Sequence, residues 1–200
     1  MKKIRNFNVF LGVLWEWILL PILFYFFLPK DEKYFFLFPE SIFIRILVFL
    51  IYLLYGLYFT FHSCWALHRI GKGTILPNDP PEKLVKDSVY SFCRNPMYLG
   101  YSFLFFAFGF LMRNISFLFL SVGVVIFIYI YSKLIEEKVL LKRFGNEYLV
   151  YKSQTPFIIS FVRHKNIFYT FSTFLFLVIL SLVIRSALVL IIVDLLSKKK

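Results

Sequence analysis

Five apolar runs dominate the chain, at roughly 10–28, 42–67, 97–112, 115–135 and 167–193. Crossing the hydrocarbon core of a bilayer takes about 20 helical residues. Four runs meet that requirement, and the third, about 16 residues long, reaches only about 24 Å at the helical rise. The runs are continuous rather than alternating, and lipid tolerates no unpaired backbone, so helices are expected and a barrel is not. Apolar residues make up 60% of the 200 positions and charged ones 17%. A soluble domain of this length has no interior large enough for that surface. The expectation is an all-α, polytopic transmembrane bundle of about five spans, forming a single membrane domain over 1–200.

Only Arg113 and Asn114 separate the third run from the fourth, so the two are expected to form a tight helical hairpin. Two long polar segments, about 68–96 and 136–166, flank that hairpin. Its two neighbouring ends must bring these segments together. With the N-terminus inside, Lys and Arg concentrate on the side holding both segments, for example Arg69, Lys72, Lys83, Lys86 and Arg94 in one and Lys138, Lys142, Arg143 and Lys152 in the other. The positive-inside rule then places both segments and the N-terminus in the cytoplasm. The Lys198–Lys200 tail and Arg185 run against this for the last span. The run after Met1-Lys2-Lys3 lacks a small-residue cleavage site and reads as a retained span.

The net charge of +12 falls between apolar runs instead of along one face, which favours topology and headgroup attraction over nucleic acid as its meaning. Cys64 and Cys93 form no disulfide framework, and no Cys/His spacing suggests a metal site. Glu16 sits inside an apolar run and is a functional candidate or a snorkelling residue; His62 and His68 read as packing residues.

Chemistry is therefore sought in the polar segments. Gly71-Lys72-Gly73-Thr74 precedes a proline-rich stretch through Pro80-Pro81. Paired glycines permit a positive φ or close backbone approach, or simply a turn after the second span. No strand–helix pattern follows, which argues against a Rossmann site. In Arg94-Asn95-Pro96-Met97-Tyr98-Leu99-Gly100, Pro96 suits a first helical turn. Arg94 and Tyr98 fit either a headgroup anchor or a pocket at the membrane surface. Glu136-Glu137 stand where the fourth run ends. Lys133 can pair with Glu137 at i,i+4, which leaves Glu136 without a local partner and able to hold an ammonium or a ribose hydroxyl. Lys142, Arg143 and Gly145 suit a helix C-terminus; Tyr148 and Tyr151, three apart, would share a face on a helix and either pack onto the bilayer surface or line a pocket.

In this order, the motifs resemble the isoprenylcysteine carboxyl methyltransferase and phospholipid methyltransferase group of membrane enzymes. The matching pieces are Gly71-Lys72-Gly73-Thr74, Arg94 to Gly100, Glu136-Glu137, and Phe144-Gly145-Asn146-Glu147-Tyr148 with Tyr151, a core over 68–160. The resemblance implies S-adenosylmethionine as cofactor, held by Gly71, Gly73, Arg94, Pro96, Tyr98, Glu136 and Glu137. Arg94 would meet the cofactor carboxylate, and Glu136 or Glu137 its ammonium. It also implies a lipophilic acceptor from the bilayer, such as an isoprenylcysteine carboxylate or a phospholipid, with Tyr148 and Tyr151 beside it. The chain departs from the pattern at Asn95, where many relatives have His, and at Ser88, where many have Gly. It departs again at Ser153-Gln154-Thr155-Pro156, where an Arg beside a Val-Pro pair is usual. A non-catalytic membrane scaffold that keeps the fold is the alternative; a small transporter ranks below both, since no repeat is visible.

Overall fold

The computed structural model describes residues 37–74, 80–158 and 167–197. Its regular structure over these residues is helical throughout. The elements are α1 (Ile42–Arg69), a 3₁₀ turn (Ser88–Ser91), α2 (Pro96–Met112), α3 (Ile115–Tyr131), a π turn (Ser132–Glu136), α4 (Glu137–Gln154) and α5 (Ile167–Ser197). The first expected span at 10–28 and the Lys198–Lys200 tail lie outside the described residues. Three helical segments among them are long and apolar enough to cross a membrane: Ile42–Arg69, the continuous Ile115–Gln154, and Ile167–Leu196. Pro96–Met112 is apolar but shorter.

Local chemistry sets the helix ends. Ser41 accepts a hydrogen bond from Ile44 N at the start of α1, and His68 and Arg69 occupy its last turn, where positive charge suits the helix dipole. Pro96 opens α2, where its missing N–H is no loss. Between α2 and α3, Arg113 takes a left-handed conformation (φ 55°), and the Asn114 side chain accepts from Ser116 N at 2.9 Å. The expected two-residue hairpin is thus closed by its own two residues.

The short helix α2 is the hub. Leu99, Phe103, Phe106 and Ala107 are almost fully buried, and burial around most of its circumference explains a helix that is apolar on every face. Small residues bring its neighbours close. A Cβ on Gly100 would lie 2.9 Å from the Gly56 carbonyl of α1, and one on Gly109 would lie 2.5 Å from Phe117 Cβ of α3. Across the hairpin, Ser102 Oγ donates to Ser121 O at 2.6 Å. Helix α5 packs on the bundle through Tyr52, whose hydroxyl donates to Leu175 O at 3.0 Å, and through Tyr55 stacked on Phe168. The outward faces carry exposed Phe43, Leu54, Phe127 and Ile191, as a lipid boundary requires.

The second polar segment differs from expectation. Past the helix end expected at Lys142–Gly145 the chain turns helical again to Gln154, so α3, the π turn and α4 follow one another over 40 residues. From Ile115 to Glu136 the helix already runs about 33 Å at 1.5 Å per residue, the hydrocarbon thickness, so α4 must leave the bilayer. The residues between Glu137 and Phe144 are mostly good helix formers, and polar composition here marks an exit from lipid, not a break in the helix. The break comes at Gly145, whose φ of 53° and ψ of −129° kink α4. A positive φ was the expected property of that glycine; the resumption of helix after it was not.

Candidate functional site

The two polar segments meet at one end of the bundle. Arg94 N donates to Pro156 O at 2.9 Å and Asn95 N to Phe157 O at 3.1 Å. The Asn95 side chain adds a second bond to Phe157 O at 3.3 Å. Tyr151 hydroxyl donates to Tyr90 O at 2.8 Å. Further out, Lys86 pairs with Glu147 at 2.8 Å, and the Arg143 guanidinium donates to the carbonyl of Pro81. Backbone groups left over by loop geometry on one side thus find partners on the other.

The glycine pair folds the first segment onto itself. Gly71 O accepts from Glu82 N at 2.7 Å and Lys83 N at 3.2 Å. A Cβ on Gly73 would stand 2.5 Å from the Pro81 backbone, so only glycine lets the proline strap lie this close. The positive φ falls between the glycines, on Lys72 (58°).

Glu137 lies under this junction at the start of α4. Its Oε1 accepts from Arg94 Nη1 at 2.8 Å, its Oε2 from Lys152 Nζ at 2.6 Å, and Lys133 Nζ stands 3.2 Å from Oε1. Burial alone would push this carboxyl up. Hydrogen bonds from Lys152, Arg94 and Lys133 outweigh it and hold the group down at about 2. Arg94 is equally committed: Nε donates to Thr155 O at 3.1 Å, and Nη1 also reaches Tyr148 hydroxyl at 3.2 Å. Lys133 pairs with Glu137 as its i,i+4 position suggests. Lys152 joins from fifteen residues away, brought in by the turn of α4 back across the site.

Glu136 meets the opposite surroundings. The π turn closes with Glu137 N donating to Ser132 O, one residue more than an α turn holds. Such turns recur at functional sites because the extra residue re-aims its neighbours. Glu136 is partly buried, and its Oε2 has no hydrogen-bond partner among the described residues. Burial pushes its carboxyl up and Glu137 adds to the shift, against a hydrogen bond from Ser132 and the charge of Arg94.

Glu136 borders a cavity of about 270 Å³. Arg94, Pro96, Tyr98 and Tyr151 also line it, with Thr74 and Pro81 on the first segment and Val139 and Phe144 on α4. The volume falls just below the roughly 300–1,000 Å³ usual for small-molecule sites. Of the residues singled out in the sequence, Arg94, Pro96, Tyr98, Glu136 and Tyr151 face this cavity. Gly71, Gly73, Glu137 and Tyr148 stand behind it: the glycines shape the strap, and Glu137 and Tyr148 hold Arg94. Read from the sequence, Arg143 and Lys152 had only topology and helix-end roles, and the carbonyls of Thr155 and Pro156 had none. Lys152 follows Tyr148 at i,i+4 on one helix face, which was the available signal. Among the described residues no group of three or more His, Cys, Asp or Glu side chains could hold a metal ion.

Comparison with curated proteins and with solved structures finds no match for this chain. Comparison with family models finds one, phospholipid methyltransferase, over residues 44–147. That stretch runs from α1 through the hairpin, Arg94 and both glutamates to just past the Gly145 kink. Tyr148, Tyr151, Lys152 and the Thr155-Pro156 carbonyls lie beyond it. A membrane-spanning helical bundle, a cavity at one end of its central hairpin and a match over half the sequence agree: the chain belongs to the phospholipid methyltransferase family.

Proposed function

We propose that the cavity binds S-adenosylmethionine and that the protein transfers its methyl group to a lipophilic acceptor drawn from the bilayer. One observation carries the reading: Glu136 Oε2, a buried carboxylate oxygen with no partner among the described residues, borders a small-molecule cavity next to Arg94. A buried acceptor in this state is costly unless a ligand answers it. The donor has an ammonium and ribose hydroxyls that fit that need, and an adenine that suits the apolar wall of Val139, Leu140 and Phe144. When bound, it would supply an electrophilic methyl group on a sulfonium.

The residues present then divide the work. Glu136 takes the donor's ammonium or a hydroxyl. Arg94 favours a carboxylate nearby, and its orientation is held by Glu137, Tyr148 and the Thr155 carbonyl. Pro96 and Tyr98 wall the cavity at the start of α2, and Gly71 and Gly73 keep the Pro80-Pro81 strap over it. Tyr151, fixed on Tyr90 O, and Tyr148 lie towards the acceptor. For an already activated donor, positioning and exclusion of water are most of what a protein must supply. The positive-inside pattern puts this end of the bundle in the cytoplasm, where the polar donor is found. The acceptor is an isoprenylcysteine-like carboxylate or a phospholipid-like amine, and residues 68–160 form the catalytic core of a single membrane domain.

Isothermal calorimetry of S-adenosylmethionine with the purified protein, in detergent and in lipid nanodiscs, tests the donor assignment. Saturable binding that Glu136→Ala abolishes supports it. A folded wild-type protein that binds no donor in either medium overturns it and leaves a membrane scaffold as the better reading.

A further inference from the structure

The cluster around Glu137 is not electrically balanced. Arg94, Lys133 and Lys152 bring three positive charges to one carboxylate, a surplus of two. The surplus is not buried evenly: the Arg94 side chain is 10% exposed, whereas Lys133 and Lys152 are each 37% exposed. The nearby Lys86–Glu147 pair is self-compensating, and Glu136 lies on the cavity side.

The position of the lysines matters as much as their charge. Lys133 lies in the π turn, where the α3 span ends. Ile126, Tyr129, Ile130 and Lys133 are spaced i, i+3, i+4 and i+7, so they form one stripe along the helix. The first three are 55%, 49% and 52% exposed, an apolar track that faces lipid. Lys133 Nζ stands 5.7 Å from the centre of the Tyr129 ring, which meets Phe157 edge-on at 5.1 Å. An apolar track about 6 Å long at the helical rise, ending under two cations at the membrane surface, has the chemistry of a lipid site where headgroup and chain meet.

We propose that Lys133 and Lys152 bind the phosphate of an anionic lipid headgroup, with its chains on the Ile126–Ile130 track. The headgroup would sit on the far side of Arg94 from the cavity. It would draw on the surplus charge and leave the Arg94–Glu137 pair in place. Free phosphate lacks any use for the track, so the lipid is the assigned source. This site is independent of what the cavity binds.

Amine-reactive acetylation of the wild-type protein in detergent, read residue by residue by peptide mass spectrometry, tests it without any methyl donor present. Two lysines near a surface give anionic lipid a preference of about tenfold or more. Phosphatidylglycerol is therefore expected to slow labelling of Lys133 and Lys152 about tenfold relative to phosphatidylcholine, while Lys138 and Lys142 label alike in both. In native mass spectrometry, Lys133→Gln/Lys152→Gln loses retained phosphatidylglycerol and Lys152→Arg keeps it. Equal protection by the two lipids overturns the proposal. So does equal protection by inorganic phosphate with none added by lipid. If the double variant fails to fold, the wild-type labelling decides alone. Because no donor enters the assay, a failure of the cavity assignment leaves this result untouched.

Discussion

The two ends of the α2–α3 hairpin solve the same problem in opposite ways. At the Arg113–Asn114 end the reversal itself is made within a few residues: a left-handed Arg113 turns the chain and Asn114 caps the next helix, with one long-range bond from Arg45 Nη1 to Leu111 O at 3.2 Å. At the other end almost nothing is met locally. Arg94 finds its partners at positions 137, 148, 155 and 156, and Glu136 keeps a buried oxygen without one. The site end is held by long-range bonds and has capacity left over, which is where chemistry belongs.

That contrast can be broken in order of expected effect. Glu137→Ala leaves three cations without their shared anion, and removal of one partner of a buried pair costs about 3–5 kcal/mol. Chemical unfolding in detergent should show that loss, together with weakened donor binding. A loss below about 1 kcal/mol would mean that the network is ornamental. Gly73→Ala must push the Pro81 strap outward, and an added methylene in a packed place costs about 1–3 kcal/mol. It should lower donor affinity with little change in the far end of the hairpin. Asn114→Ala removes one local cap, worth about 1 kcal/mol, and should leave donor affinity unchanged.

The adjacent glutamates sharpen the comparison through pH. Glu137 is held at about 2, below its ordinary 4.5. Its stabilisation is complete above the unfolded value and is lost as pH falls from about 4.5 toward 2. Glu136 is shifted upward, so the folded state binds its proton more tightly than the unfolded chain does, and its contribution falls as pH rises through that range. Glu136→Gln should therefore stabilise the donor-free protein near neutral pH while weakening donor binding. Thermal unfolding with and without S-adenosylmethionine measures both. A destabilised Glu136→Gln variant would show that the carboxylate has a structural partner beyond Ser132. The smallest effect is expected at Ser88, which holds a φ of 58°. Ser88→Gly relieves a left-handed strain of about 1–2 kcal/mol, less the entropy that glycine adds to the unfolded chain.

Continuous apolar runs, the two-residue turn at 113–114 and Pro96 as a helix start were legible because each depends on neighbours within a turn or two. So was the pairing of Lys133 with Glu137. The resumption of helix beyond Gly145 was hidden, because a glycine at that place usually ends a helix and here only kinks it. The i,i+4 pairing with Lys133 already set Glu137 apart from Glu136; that Arg94 and Lys152 also converge on Glu137, and that Glu136 borders a cavity, came only from the packing. Gly71 and Gly73 were legible as a place of close backbone approach, but the thing approached is the chain's own proline strap.

The sequence by itself determined that this chain is a helical membrane protein with a tight central hairpin and polar chemistry flanking it, since hydrophobic length and local capping need no distant partner. Only the tertiary structure decided how Arg94, Glu136, Glu137 and Lys152 divide their roles. Charges far apart in sequence take their meaning from burial and from the groups within about 4 Å, and those are set by how the helices pack.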